Sequence, residues 1–204
     1  MNLRLAMVLG IAFALNGCAL TTDRIDLAYT PQQGAKTVVG ADGVTVNVVV
    51  NDQRPDKSKV SSKKNGFGME MAPIVATEDV AITVRRAIQQ ELTSRGFALG
   101  ADDALVNITA DITRFYNDHK TGFFAGDAVA DLNLAVEVKS KSGEQLFVKQ
   151  VVAQGVEANT QLMTGNNARI ALNQALENGM KLLFEDQAFI VALMASSKSV
   201  VAAD

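Results

Sequence analysis

An α+β fold is predicted: an antiparallel sheet with a β-hairpin, and two helices packed on one face. Three features of the sequence predict it. β-branched or alternating segments near 44–50, 106–112, 128–139 and 146–156 read as strands. Two segments space their apolar residues at helical intervals. Short turns join the last three strands, so antiparallel neighbours are expected. The predicted order is strand, hairpin, helix, three strands, helix.

The chain opens with an apolar segment. Arg4 precedes Leu5–Leu15, eleven residues without a charge. That run is too short to span a bilayer, which needs about 20 residues, and it matches the apolar centre of a signal peptide. Leu15-Asn16-Gly17-Cys18 follows and resembles the bacterial lipobox, with Asn16 a slight departure. On this reading residues 1–17 are a lipoprotein signal peptide and Cys18 becomes the acylated N-terminus. The other reading leaves Cys18 in a leader cut in the ordinary way, or buried as a small hydrophobe. The lipobox resemblance implies a triacylated cysteine bearing fatty acids such as palmitate. Each buried methylene contributes about 0.8 kcal/mol, so several chains hold firmly where one holds marginally. Ala19 rather than aspartate follows the cysteine; by resemblance to enterobacterial sorting this implies the outer membrane, with the domain facing the periplasm. With Cys18 modified, no thiol remains for disulfides, metal or nucleophilic catalysis.

Residues 18–43 lack clear periodicity and read as a tether, with a short extended piece around Ile25–Tyr29. The single domain is expected over 44–196. Val44–Val50 is a β-branched strand that ends at Asn51-Asp52-Gln53-Arg54-Pro55, where proline stops the ladder. Val60–Lys64 leads into Asn65-Gly66, a type I′ hairpin signal because both turn residues tolerate positive φ. The return arm alternates Phe67, Met69 and Met71. Lysines 57, 59, 63 and 64 crowd the outgoing arm, as charges do on a protected edge.

Thr77 is the expected N-cap of a helix over Glu78–Arg95, whose inner face carries Ala81, Val84, Ile88 and Leu92 and which Gly96 ends. Val106, Ile108, Ala110 and Ile112 alternate along the next strand. Ala128 to Val138 alternates through six apolar positions, and Ser140-Lys141-Ser142-Gly143 turns into Leu146–Val156. Asn166 or Asn167 is expected to cap a second helix lined by Leu172, Ala175, Leu176, Gly179 and Leu183. Phe189–Met194 closes the domain before a flexible tail at 197–204.

Loss of residues 1–17 leaves 187 residues, enough for one domain with a proper core. Arg4 is the only charge removed, so 18 basic residues face 22 acidic ones, a net charge of −4. That balance gives no electrostatic basis for nucleic-acid binding, which depends on neutralising phosphates. Ser61-Ser62-Lys63-Lys64 satisfies S-x-x-K and Lys120-Thr121-Gly122 satisfies K-T-G, two marks of penicillin-binding serine enzymes. The nucleophile of such enzymes opens a helix, whereas Ser61 falls on a hairpin arm, and no S-D-N motif accompanies it. His119 is the only histidine, so a two-histidine metal site is excluded. It falls in the polar segment Asn117–Lys120 and reads as solvated. No cofactor motif is present.

Two features are candidate binding residues. Asp52 and Arg54 share a strand face and can pair; either they fix the turn before Pro55, or Arg54 meets an anionic group of a partner. Phe123 and Phe124, between Gly122 and Gly126, form either an apolar tip that meets protein or lipid, or a cap on the sheet core.

These residues together resemble the YajG-type lipoproteins of Gram-negative envelopes. The resemblance rests on the lipobox, Asp52-Gln53-Arg54, Ser94-Arg95-Gly96-Phe97, Val106-Asn107-Ile108 with Phe115-Tyr116-Asn117-Asp118, and Ala130-Asp131, in that order along most of the mature chain. The Lys-rich hairpin and Gly122-Phe123-Phe124 depart from it. It implies an anchored envelope protein with no catalytic residue to carry over. The function expected is that of a non-enzymatic binding or assembly module with a periplasmic protein partner. The alternative is an accessory or carrier lipoprotein in lipid or cell-wall transport.

Overall fold

The computed structural model describes residues 21–102, 104–120, 122 and 125–201, with side chains through residue 195. Eight strands and three helices are present among them: β1 (Asp23–Ile25), β2 (Thr45–Asp52), β3 (Ser61–Lys64), β4 (Glu70–Ala76), α1 (Val80–Ser94), β5 (Ala98–Leu99), β6 (Val106–Lys120), β7 (Gly126–Ser140), β8 (Gln145–Thr160), α2 (Gly165–Phe184) and α3 (Gln187–Val201). The fold is α+β, as the patterning predicts.

The sheet differs from the expected antiparallel one. There are two sheets, ordered β5-β2-β6-β7-β8 and β1-β4-β3, and both are mixed. β6, β7 and β8 form the predicted antiparallel meander, but β2 runs parallel to β6 and β5, and β1 parallel to β4. The cause lies in the connections. The segment between β2 and β6 contains a hairpin and a helix, long enough for the crossover that a parallel pair requires.

The alternating residues of β6 to β8 point as expected. Ile108, Ile112, Leu132, Leu134, Val138 and Val151 are buried on one face, under the helices. The other face is polar, with Asn47 bonded to Asn107 at 3.1 Å and Asn51 to Asp111 at 2.8 Å. Helix α2 sits very close to β8, because a Cβ at Gly155 would collide with the backbone of Ala171 and Ala175. Its predicted inner residues, Leu172, Ala175, Leu176, Gly179 and Leu183, are all buried.

Several boundaries move for local reasons. The cap of α1 is Asp79, whose side chain accepts from the Ala81 N–H, because the Thr77 hydroxyl is engaged with Asp26. Thr164 caps α2, accepting from the Asn167 N–H. Gly96 does end α1 in the left-handed region, with φ +94°. The hairpin is not a type I′ turn. Asn65 has an ordinary φ, its side chain accepts from the N–H groups of Phe67 and Met69, and Gly68 takes the positive φ of 81°. The result is a three-residue loop, the next commonest hairpin solution.

Three further differences concern elements that show little periodicity. From residue 21, the stretch expected as a tether is built into the fold: β1 pairs with β4, and Ile25 is buried. Phe189–Met194 belongs to a third helix, α3, which continues to Val201, into the segment expected as a tail. Phe189 packs edge-on to Phe184, with centroids 5.2 Å apart. No helix among the described residues is long and apolar enough to cross a membrane.

Candidate functional site

The end of β2 carries Asp52 and Arg54 into the junction between the two sheets. Arg54 is buried, and its guanidinium meets Asp52 in the fork-to-fork manner: Nε lies 3.0 Å from Oδ1 and the second terminal nitrogen 2.8 Å from Oδ2. The other terminal nitrogen donates to the carbonyls of Lys59 and Phe115, both at 3.2 Å. One side chain therefore joins the exit of β2, the chain entering β3, and the middle of β6. Burial pushes the Asp52 carboxyl up, but hydrogen bonds and charge from Arg54 outweigh it and hold the carboxyl below its ordinary range. Of the two sequence readings, local pairing is the one this geometry supports, because most of the Arg54 donors are committed inside the protein.

A cleft of about 640 Å³ opens beside the pair. Its walls are the exit of β2, the 57–60 connection, the end of β4 and the first turn of α1. Lys57 and Lys59 stand on one side, Glu78 and Asp79 on the other. Asp79 spends one oxygen on the helix cap, and Glu78 pairs with Arg86 at 2.8 Å. The cleft is thus polar and of mixed sign, suited to a peptide-like or zwitterionic group rather than to a polyanion.

Beyond Arg54 the junction continues as a polar cluster. The Asn117 N–H donates to the Val60 carbonyl at 2.8 Å, and its side-chain amide donates to the Ser61 hydroxyl at 2.9 Å. Lys64 pairs with Asp118. This removes the arrangement that the S-x-x-K motif suggested: Ser61 is buried in a strand and Lys64 is ion-paired.

His119, expected to be solvated, is buried, and neither ring nitrogen has a hydrogen-bond partner among the described residues. A bulge between Ile112 and Arg114 causes this. It shifts the strand's phase, so Phe115, Asn117 and His119 face inward after Ile112. Burial lowers the His119 pKa, with Lys64 adding to the effect and Asp118 opposing it. The folded state therefore favours the neutral ring, and the unfolded state binds the proton first as pH falls. Stability is expected to fall as pH drops below about 6.5 and to level off once the depressed folded-state pKa is passed. Urea unfolding at a series of pH values should show this slope in the wild type and a reduced one in His119→Gln. Equal slopes would mean that the ring is not buried in the neutral form.

A second buried ion pair went unread in the sequence. Glu91 and Arg95 lie one turn apart on the core side of α1, and they pair with each other. Glu91 also accepts from the Tyr29 hydroxyl and from the Gln32 N–H at 2.9 Å, while Arg95 donates to the Gln32 side chain at 3.0 Å. The Arg95 guanidinium stacks over Phe184, 4.7 Å from the ring centre. The network ties the N-terminal segment to α1 and α2. A charged i, i+4 pair in the apolar stripe, with Ile88 and Leu92 beside it, is the signal that marks it.

Cys18, Phe123 and Phe124 lie outside the described residues. Asp52 and Arg54 are brought together, and the two aromatic candidates are not placed.

Residues 31–193 match the family described as uncharacterized lipoprotein. The chain belongs to that lipoprotein family. The membership agrees with the YajG-type resemblance and with an anchored envelope protein. Among solved structures, protein XCC0632 from Xanthomonas campestris, of the DUF330 family, shares the fold: TM-score 0.58 at 12% identity, over 88% of this chain and 99% of that one. A minor lipoprotein from Acinetobacter baumannii gives a TM-score of 0.36 at 12% identity, over 76% of this chain and 92% of the other. Lipoprotein GNA1162 from Neisseria meningitidis gives 0.30 at 9% identity, over 79% and 99%. No curated protein matches the chain closely enough to count as a relative.

Proposed function

We propose that this lipoprotein is a non-enzymatic binding or assembly module, held by acyl chains on Cys18 in the outer membrane and facing the periplasm. Membership of a lipoprotein family, in a chain that carries Leu15-Asn16-Gly17-Cys18, is the observation that carries the anchoring. The polar cleft beside Asp52 and Arg54 is the surface offered to an envelope protein partner. The fixed pair shapes that cleft, while Lys57 and Asp79 supply its exposed charge. The carrier reading has less support, because it needs an apolar space between sheet and helices. That interior holds Ile88, Leu92, Ile108, Leu134, Leu172 and Leu176, each fully buried.

Fractionation tests the anchoring. Cys18→Ser is expected to move the protein from the membrane fraction to the soluble periplasm, and globomycin to accumulate the precursor. A Cys18→Ser protein that still sediments with membranes would overturn the anchoring. A photocrosslinker at Lys57 in the acylated protein is expected to give a discrete protein adduct. Lipid adducts there would favour the carrier reading instead.

A further inference from the structure

The first described residues enter the fold at one end of the molecule, and that end carries exposed apolar side chains. β1 runs parallel to β4, with Asp23 beside Ile74, so the chain before Asp23 leads back toward the hairpin tip. Thr21 is tied there: its carbonyl accepts from Lys63 at 3.0 Å, and Lys63 pairs with Asp23 at 2.7 Å. Cys18 stands three residues earlier in the sequence, within about 10 Å of Thr21 by the reach of the chain.

At the hairpin tip Phe67 is 91% exposed, Met69 59% and Met71 41%. The connection from β8 to α2 lies at the same end, because the Gly165 N–H donates to Asp23 at 2.9 Å, and there Leu162 is 72% exposed. Four large apolar residues, from the hairpin and from the β8–α2 connection, thus lie at the end where a lipid anchor on Cys18 would enter. The lysines nearby do not make a basic patch, since Lys59, Lys63 and Lys64 pair with Glu70, Asp23 and Asp118. The recognition is therefore of the apolar part of the bilayer.

We propose that this end is a second membrane contact, in which Phe67, Met69 and Leu162 enter the leaflet that holds the Cys18 acyl chains. The inference rests on the anchored reading above. Shallow burial of apolar side chains at the headgroup boundary adds to an acyl anchor and fixes an orientation that a flexible anchor alone leaves free. It also sets the height of the cleft. β4 runs from Glu70 at the tip to Ala76 in the cleft wall, about 20 Å along a strand, so the cleft is held that far from the leaflet.

The chain has no tryptophan, so an introduced one reports alone. Phe67→Trp and Leu162→Trp are each made in the acylated protein, with Val39→Trp as the control. Val39 is 94% exposed beside the end of α1, where Val38 bonds to Arg95, at the opposite end of the sheet. Each protein is reconstituted into vesicles of phosphatidylethanolamine and phosphatidylglycerol and recovered by flotation. The expected result is blue-shifted emission and quenching by brominated acyl chains at positions 67 and 162, with position 39 unchanged. Floating protein in which all three tryptophans stay solvent-like, or all three shift alike, overturns the contact while leaving the anchor intact. Protein that fails to float overturns the anchor and the contact with it.

Discussion

Arg54→Ala is expected to destabilise the protein by about 3–5 kcal/mol, because it leaves Asp52 and two carbonyls at a buried junction without their donor. For a domain of this length that corresponds to a fall in Tm of about 10 °C. Arg54→Lys should lose less, about 1–3 kcal/mol, since it keeps the charge but cannot bond in a fork and reach two carbonyls as well. Thermal and urea unfolding of the two variants measures the difference. The junction account also locates the damage. Amide exchange should rise first in β3 and β4, which the Arg54 contacts hold against β6. If Arg54→Ala unfolds within about 1 kcal/mol of wild type, the side chain is not what joins the sheets, and a role toward a partner becomes the better reading.

The second large effect is expected at Glu91. Glu91→Ala strands Arg95 in the core and removes the acceptor for Tyr29 and Gln32, again a loss of about 3–5 kcal/mol. Replacing the pair together, as Glu91→Leu with Arg95→Met, should restore much of that loss, because two charges then leave the interior at once. Unfolding by urea, with amide exchange of residues 28–33 as the local readout, separates the two cases. A double variant as unstable as Glu91→Ala would show that the pair contributes through its shape rather than through a balance of charge.

Strands β6 and β7 and helices α1 and α2 were legible because each repeats a simple period, whereas β1, β5 and the helical form of α3 were not. Val106–Ile112 and Ala128–Val138 alternate strictly, and the register of β6 on β7 follows that alternation. What the periods do not encode is which strands meet. The parallel pairing of β2 with β6 depends on a crossover of some fifty residues, and nothing local to Val46 or Val106 specifies it. The inward turn of His119 escaped for a related reason. Apolar residues occupy even positions to Ile112 and an odd one at Phe115, so the phase change is written in the sequence, but it is easily read as the end of the strand.

The N-terminal segment shows a different limit. Residues 21–43 are held by scattered anchors, among them Ile25 and Ala41 in the core and Tyr29 on Glu91, and scattered anchors leave no period. Of the candidate site, the Asp52–Arg54 pair was legible because side chains two apart on a strand share a face. Its two carbonyl partners were not, since Lys59 and Phe115 are brought to it only by the junction of the sheets.

The central claim is that Cys18 carries the lipid that places this domain on a membrane. Mass spectrometry of the mature N-terminus tests it most directly. The account predicts a mature chain beginning at Cys18, with a diacylglyceryl group on the sulfur and a third acyl chain on the amine. An unmodified Cys18, or cleavage at any other bond, would contradict it.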